Sequence, residues 1–182
     1  MLPVHAVHRE DIERQTHQFT ISLFHHLTSL DELFAQLRVA TAPAEIEVLR
    51  NGIWQLWLTT GEQALDKQLE AGMRALAAEE YTRAIACFTE LIAARPDWAE
   101  GWNKRATAYF MRGEYRASLT DIEETLRREP RHFGALNGWA MILRQLGHYR
   151  GALHVLRRLE TLCPHWPGLQ EELRDLRDQL DS

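Results

Sequence analysis

Apolar side chains along this sequence recur at three- and four-residue steps, the spacing that gathers them on one face of a helix. The first such stretch opens at "SLDE", residues 29–32, where a serine followed three residues on by a glutamate forms a capping-box pattern. The helix it starts carries Leu30, Leu33, Phe34 and Leu37. Pro43, a residue suited to a helix's first turn, opens a second helix with Ile46, Leu49, Ile53, Leu56 and Trp57 on one side. At the far end, residues 167–182 set Leu169, Leu173, Leu176 and Leu180 in one stripe on an otherwise charged helix, with Pro167 in its first turn.

Between these segments one pattern is written three times. "EYTRAIACFTELIAARPDW" begins at residue 80, "EYRASLTDIEETLRREPRH" at 114 and "HYRGALHVLRRLETLCPHW" at 148. Pro96, Pro130 and Pro164 are 34 residues apart, and so are Tyr81, Tyr115 and Tyr149. Two series of small residues keep the phase: Gly72, Ala106 and Ala140, then Ala84, Ser118 and Ala152. So does the bulky series Phe88, Ile122 and Leu156. Small residues let paired helices approach closely, and Gly113 and Gly147 can take the left-handed conformation that ends a helix. Each proline disfavours helix in the residue before it. One helical hairpin cannot cover its own apolar face, so successive copies stack into a quasi-linear array.

A helix–turn–helix period of 34 residues resembles the tetratricopeptide repeat. The resemblance covers 65–166, in copies at 65–98, 99–132 and 133–166. Copy two fits best, through Trp102, Ala106, Tyr109, Gly113, Tyr115, Ile122 and Pro130. Copy one departs with Gln68 and Ala75 at aromatic positions and Glu79 at the usual turn glycine; copy three has Leu136 and Leu143 at the aromatic positions. The resemblance implies an all-α fold, a right-handed α-solenoid of stacked antiparallel hairpins. Residues 29–60 would be a diverged hairpin capping the first repeat, and 167–182 a C-terminal capping helix, with a short coiled-coil seam as its alternative. Residues 1–28 show little periodicity and hold five of the nine histidines, so an extended or partly ordered segment is expected there.

The family holds peptides or partner helices in a concave groove lined by the first helix of each repeat. Carried onto this chain, groove positions fall on Leu69, Met73 and Leu76; on Asn103, Lys104, Thr107, Phe110 and Met111; and on Asn137, Met141, Arg144 and Gln145. Asn103 and Asn137 are in register. Primary amides carry donors and acceptors, so they could hold an extended peptide's backbone, or they could bond only to neighbouring helices. Met73, Phe110, Met111 and Met141 would form an adaptable apolar floor. Some members clamp a terminal carboxylate with basic residues. Those positions here hold Leu69, Met73, Lys104, Gly134 and Gly138, of which only Lys104 is basic, so a clamp of that kind is not expected.

Composition narrows the remaining choices. The net charge of −5, with both signs interspersed, argues against a nucleic-acid partner, which usually demands a clustered basic face. No stretch approaches the roughly 18 apolar residues of a membrane span. The start lacks the basic opening and apolar run of a signal peptide, although a targeting segment removed upstream would leave no trace. Cys87 and Cys163 suggest two buried or half-buried thiols rather than a disulfide framework. There is no phosphate loop, GxSxG or HExxH. His5, His8 and the pair His25–His26 lack a third ligand at metal-site spacing, and His148, His154 and His165 suit exposed positions. Glu79–Glu80, Glu123–Glu124 and Glu171–Glu172 are adjacent on helices or turns and do not face each other, so they suit solvated faces. Arg127, Arg128, Arg131, Arg157 and Arg158 suit helix C-termini. Trp102 and Trp139 are expected to face the core. The expectation is a non-enzymatic adaptor without cofactor or metal, binding a segment of another protein. The alternative is a self-associating protein, either a homodimer or a chain whose own residues 17–28 occupy its groove.

Overall fold

In the computed structural model, which describes residues 29–181, every element is a helix among the described residues. Expectations about residues 1–28, including occupation of the groove by 17–28, lie outside the described residues. Helices α1 (Leu30–Val39) and α2 (Pro43–Leu58) form the N-terminal hairpin. The capping box is present: Glu32 N–H donates to Ser29 Oγ at 3.3 Å, and Ser29 N–H donates to Glu32 Oε2 at 3.2 Å. Three hairpins follow, α3 (Gln63–Ala77) with α4 (Tyr81–Ala94), α5 (Ala99–Met111) with α6 (Tyr115–Arg128), and α7 (Phe133–Gln145) with α8 (Tyr149–Leu162). Helix α9 (Leu169–Asp181) lies against α8.

The repeated residues meet where the phase requires. Phe88, Ile122 and Leu156 are buried, as are Ala84, Ser118 and Ala152. Gly72 sits so close to the Phe88 ring that a Cβ there would lie 2.5 Å from Cε1. Ser118 tolerates its buried place because its hydroxyl donates to the Ala106 carbonyl at 2.8 Å. Gly113 and Gly147 end their helices with φ of 81° and 74°. Glu79 occupies the same register with φ of 60°, a conformation in which its Cβ crowds the following carbonyl. The C-terminal helix begins two residues later than Pro167 suggests, because Gly168 takes φ of 78° and delays the first helical turn to Leu169. Leu169, Leu173 and Leu176 are buried against the last repeat, in keeping with a cap, and Leu180 is half-buried.

The N-terminal hairpin is not a cap on the first repeat. Its buried face, Leu33, Phe34, Leu37, Ile46, Leu49, Ile53 and Trp57, shares one core with Phe133, Leu136, Leu159 and Leu169 of the third repeat and α9. The first repeat has a separate core of Leu65, Leu69, Ala75, Ala84, Phe88 and Leu91 with Ala108. The hairpin lies along the edge formed by the turns that join one repeat to the next. Each turn presents an aromatic ring two residues after its proline, at Trp98, His132 and Trp166, and the hairpin touches all three. Trp98 Nε1 donates to the Trp57 carbonyl at 2.9 Å. The His132 ring stacks on Trp57 at 4.1 Å between centroids. The Arg50 guanidinium lies 3.8 Å over the Trp166 ring. Of the stripe expected on α2, Leu56 falls outside this contact and is exposed.

Candidate functional site

Side by side, α5 and α7 leave a hollow of about 260 Å3 between them. Asn103, Thr107, Phe110 and Met111 line it from α5, and Gly134, Asn137, Gly138 and Met141 from α7. Ala106, Ser118 and Ile122 close its base. A Cβ on Gly138 would meet Ile122 Cδ1 of the base at 3.7 Å, whereas one on Gly134 would meet the Trp54 ring of the hairpin. Phe110 and Met141 also border a second hollow of about 620 Å3, which runs on past Arg144, Gln145 and Tyr149 to Asp175, Asp178 and Gln179 of α9. The two form one trough across the second and third repeats, with methionines on its lip: Met111 is 51% and Met141 43% exposed.

Of the expected groove residues, the trough brings together Asn103, Thr107, Phe110, Met111, Asn137, Met141, Arg144 and Gln145. Three differ from expectation in what they offer. Asn103 is 6% exposed and its amide donates to Glu100 Oε2 at 3.2 Å, so it is committed inside the array rather than available to a peptide backbone. Lys104 turns from the trough to pair with Glu100 at 2.9 Å and to lie 5.1 Å from the Trp54 ring centroid. Met73 is exposed on the first repeat and lines neither hollow. Among the described residues Asn137 makes only a long contact from its amide to Met141 Sδ, 3.7 Å, which leaves its amide available to other partners. Of the arginines expected at helix C-termini, Arg127 and Arg128 pair with Glu124, and Arg131 with Glu129 and Asp31. Trp102, expected in the core, is half-buried beneath Arg128, 4.5 Å from its ring centroid, and Trp139 is also half-buried.

The sequence profile of the tetratricopeptide repeat matches residues 69–115 and 103–165, together more than half of the chain. A TPR repeat-containing protein of Rhizobium etli is 36% identical over 151 residues, 83% of this chain and 74% of that protein. The chain belongs to the tetratricopeptide repeat family. Solved tetratricopeptide domains share its fold. The first such domain of Spaghetti (RPAP3), bound to the HSP90 peptide SRMEEVD, superposes with a TM-score of 0.62 at 22% identity, over 66% of this chain and 95% of that one. The TPR2B domain of yeast Sti1, in a complex with an Hsp70 peptide, gives 0.59 at 16% identity, over 65% and 99%. The Arabidopsis OM64 domain gives 0.59 at 19% identity, over 64% and 96%.

One cluster in this tetratricopeptide array was not legible as a site. Glu100 and His132 are both fully enclosed, and His132 Nε2 lies 2.7 Å from Glu100 Oε2. The opposite ring nitrogen, Nδ1, accepts from Ala135 N–H at 3.1 Å and so caps α7. A nitrogen that accepts carries no proton, so the hydrogen sits on Nε2 and is donated to the carboxylate. Burial pushes the Glu100 carboxyl up, but the hydrogen bond from His132 and the Lys104 charge outweigh it and hold the group below the usual carboxylate range. Glu100, Lys104, Asn103 and His132 thus join α5 to α7 beneath Trp57. The cluster is enclosed, with Asn103 and His132 on Glu100 Oε2 and the Lys104 charge 2.9 Å from Oε1, an atom that takes no hydrogen bond, which suits a structural joint. The signal that could have found it is the register: His132 interrupts the tryptophans at 98 and 166. Among the described residues no group of three or more metal-ligating side chains converges, and no helix is long and apolar enough to cross a membrane.

Proposed function

We propose that this chain is a non-enzymatic adaptor that holds a peptide or helix of another protein in the trough between α5, α7 and α9. The observation that carries this reading is the pair of exposed methionines, Met111 and Met141, beside Phe110 on the lip of two adjoining hollows. Large apolar groups left in water at a concave surface cost free energy that a partner's apolar side chain would recover. Unbranched thioether chains adapt to different shapes. Asn137, beside them, can hold a partner's backbone. Tetratricopeptide domains of the same fold bind HSP90 and Hsp70 peptides, which supports a protein partner without identifying it. The buried commitment of Asn103 removes it from the contact and leaves Phe110, Met111, Asn137 and Met141 as the binding residues, with Thr107 and Arg144 at the margin.

Met111→Gln combined with Met141→Gln keeps length and helix propensity while making the lip polar. Affinity purification from cell extract with the wild-type and doubly substituted chains, read by mass spectrometry, tests the assignment. Partners lost by the variant, with its helical circular dichroism unchanged, support it. A partner set that survives both substitutions sinks it.

A further inference from the structure

The trough carries charge at one end only, and its sign bears on the occupant. Asp175 and Asp178 face the wider hollow beside Leu176, whereas Arg174 and Arg177 of the same helix do not line it. Arg144, the cation of that hollow, already pairs with Glu172 at 3.4 Å. Among the described residues no cation pairs with Asp175 or Asp178. At the other end Lys104 is held by Glu100, and Gly134 and Gly138 offer no charge. An acidic tail such as SRMEEVD, the peptide held by the RPAP3 domain, would therefore meet two carboxylates and, among the described residues lining that hollow, a single cation, Arg144, already paired with Glu172.

Resting on the trough assignment above, we propose that the occupant is an apolar segment of another protein that carries lysine or arginine next to its apolar side chains. Phe110 and Met141 border both hollows, so an apolar side chain seated on them stands at the entrance to the acidic end. A cation a few residues along the same segment then reaches Asp175 and Asp178. The methionine floor discriminates poorly by shape. Discrimination falls to charge, which attracts the cationic segment and repels the acidic one.

The test is selection of a phage-displayed random dodecapeptide library on the full chain, followed by fluorescence anisotropy of the recovered peptides. The proposal expects recovered sequences in which lysine and arginine outnumber aspartate and glutamate. It expects their affinity to fall about fivefold on Asp175→Asn with Asp178→Asn, the scale of two exposed ion pairs, and SRMEEVD to fail as a competitor. A neutral or acidic pool that still loses binding on Met111→Gln with Met141→Gln overturns the cation preference and leaves the trough assignment standing. Binding that ignores the methionine substitutions, or recovery of no peptide, removes both. A particle of twice the chain mass that falls to monomer on the methionine substitutions makes a second copy the occupant. Recovery only after residues 1–28 are deleted makes the chain's own segment the occupant. Either result overturns the proposal.

Discussion

Glu79 holds a backbone angle that its repeat-mates assign to glycine. A non-glycine residue at φ of 60° carries about 1 kcal/mol of strain or more, against which glycine's greater freedom in the unfolded chain counts only in part. Glu79→Gly should therefore raise the unfolding free energy by about 0.5 kcal/mol and the melting temperature by a degree or two, as followed by circular dichroism at 222 nm. An unchanged or lowered midpoint would show that the turn is relaxed. Glu100 makes the opposite case, since every partner it has is internal. Its folded-state pKa lies below the ordinary value, so its contribution to stability is present above the unfolded pKa, about 4.3, and is lost as pH falls through the folded value. Glu100→Gln should cost about 1–3 kcal/mol at pH 7 and much less near pH 3. Urea midpoints at the two pH values measure the difference, and parallel losses at both would refute the linkage.

Two glycines of α7 test how the hairpin is seated. A Cβ on Gly134 would lie 2.7 Å from Trp54 Cη2, whereas one on Gly138 would meet Ile122 Cδ1 at 3.7 Å, an ordinary contact. Trp54 has little room to yield, with Trp57, Phe133 and His132 rings 5.1–5.5 Å away. Gly138→Ala should thus gain about 0.5–1 kcal/mol from helix propensity. Gly134→Ala should lose about 1–3 kcal/mol by overpacking, despite the same propensity gain. Denaturant midpoints of the two single variants decide it; equal shifts would mean that the hairpin does not press on α7. The same residues show what the sequence could and could not reveal. The three repeats were legible because packing recurs at a fixed interval and restricts residue size at Gly72, Ala106, Ala84 and Phe88. The two N-terminal helices were legible from their caps and stripes. Their docking was not, because an apolar face at Ile46, Leu49 and Ile53 states that it must be covered without stating by what. The trough wall followed from register. The commitment of Asn103 and Lys104 depended on Glu100, a charged residue that reads as solvated until tertiary packing encloses it.

Stacked repeats lend each other stability through their shared faces, so a unit with one neighbour is held less firmly than one with two. In this molecule the hairpin makes that difference larger. The second and third repeats are covered by α1 and α2 and closed by α9, in one continuous core from Leu33 to Leu176. The first repeat keeps the smaller core of Leu65, Leu69, Ala75, Ala84, Phe88 and Leu91. Among the described residues it faces a neighbouring repeat on one side only and meets the hairpin at its margin, where Leu58 packs on its core, Trp98 binds the Trp57 carbonyl and Arg95 binds the Thr60 carbonyl. Amide protection follows the free energy of local opening. Residues 63–94 should therefore exchange through a partial unfolding that leaves residues 99–162 and the hairpin intact, and exchange-detected mass spectrometry should find the former less protected by tenfold or more. Trp98→Phe keeps the ring but removes the bond to Trp57, so it should widen that gap without lowering protection in α7 and α8. The trough lies between α5, α7 and α9, outside the residues that open, so the site would stay formed while the first repeat opens. Uniform protection across all three repeats would mean that the array unfolds as one unit and that the two cores are not energetically separate.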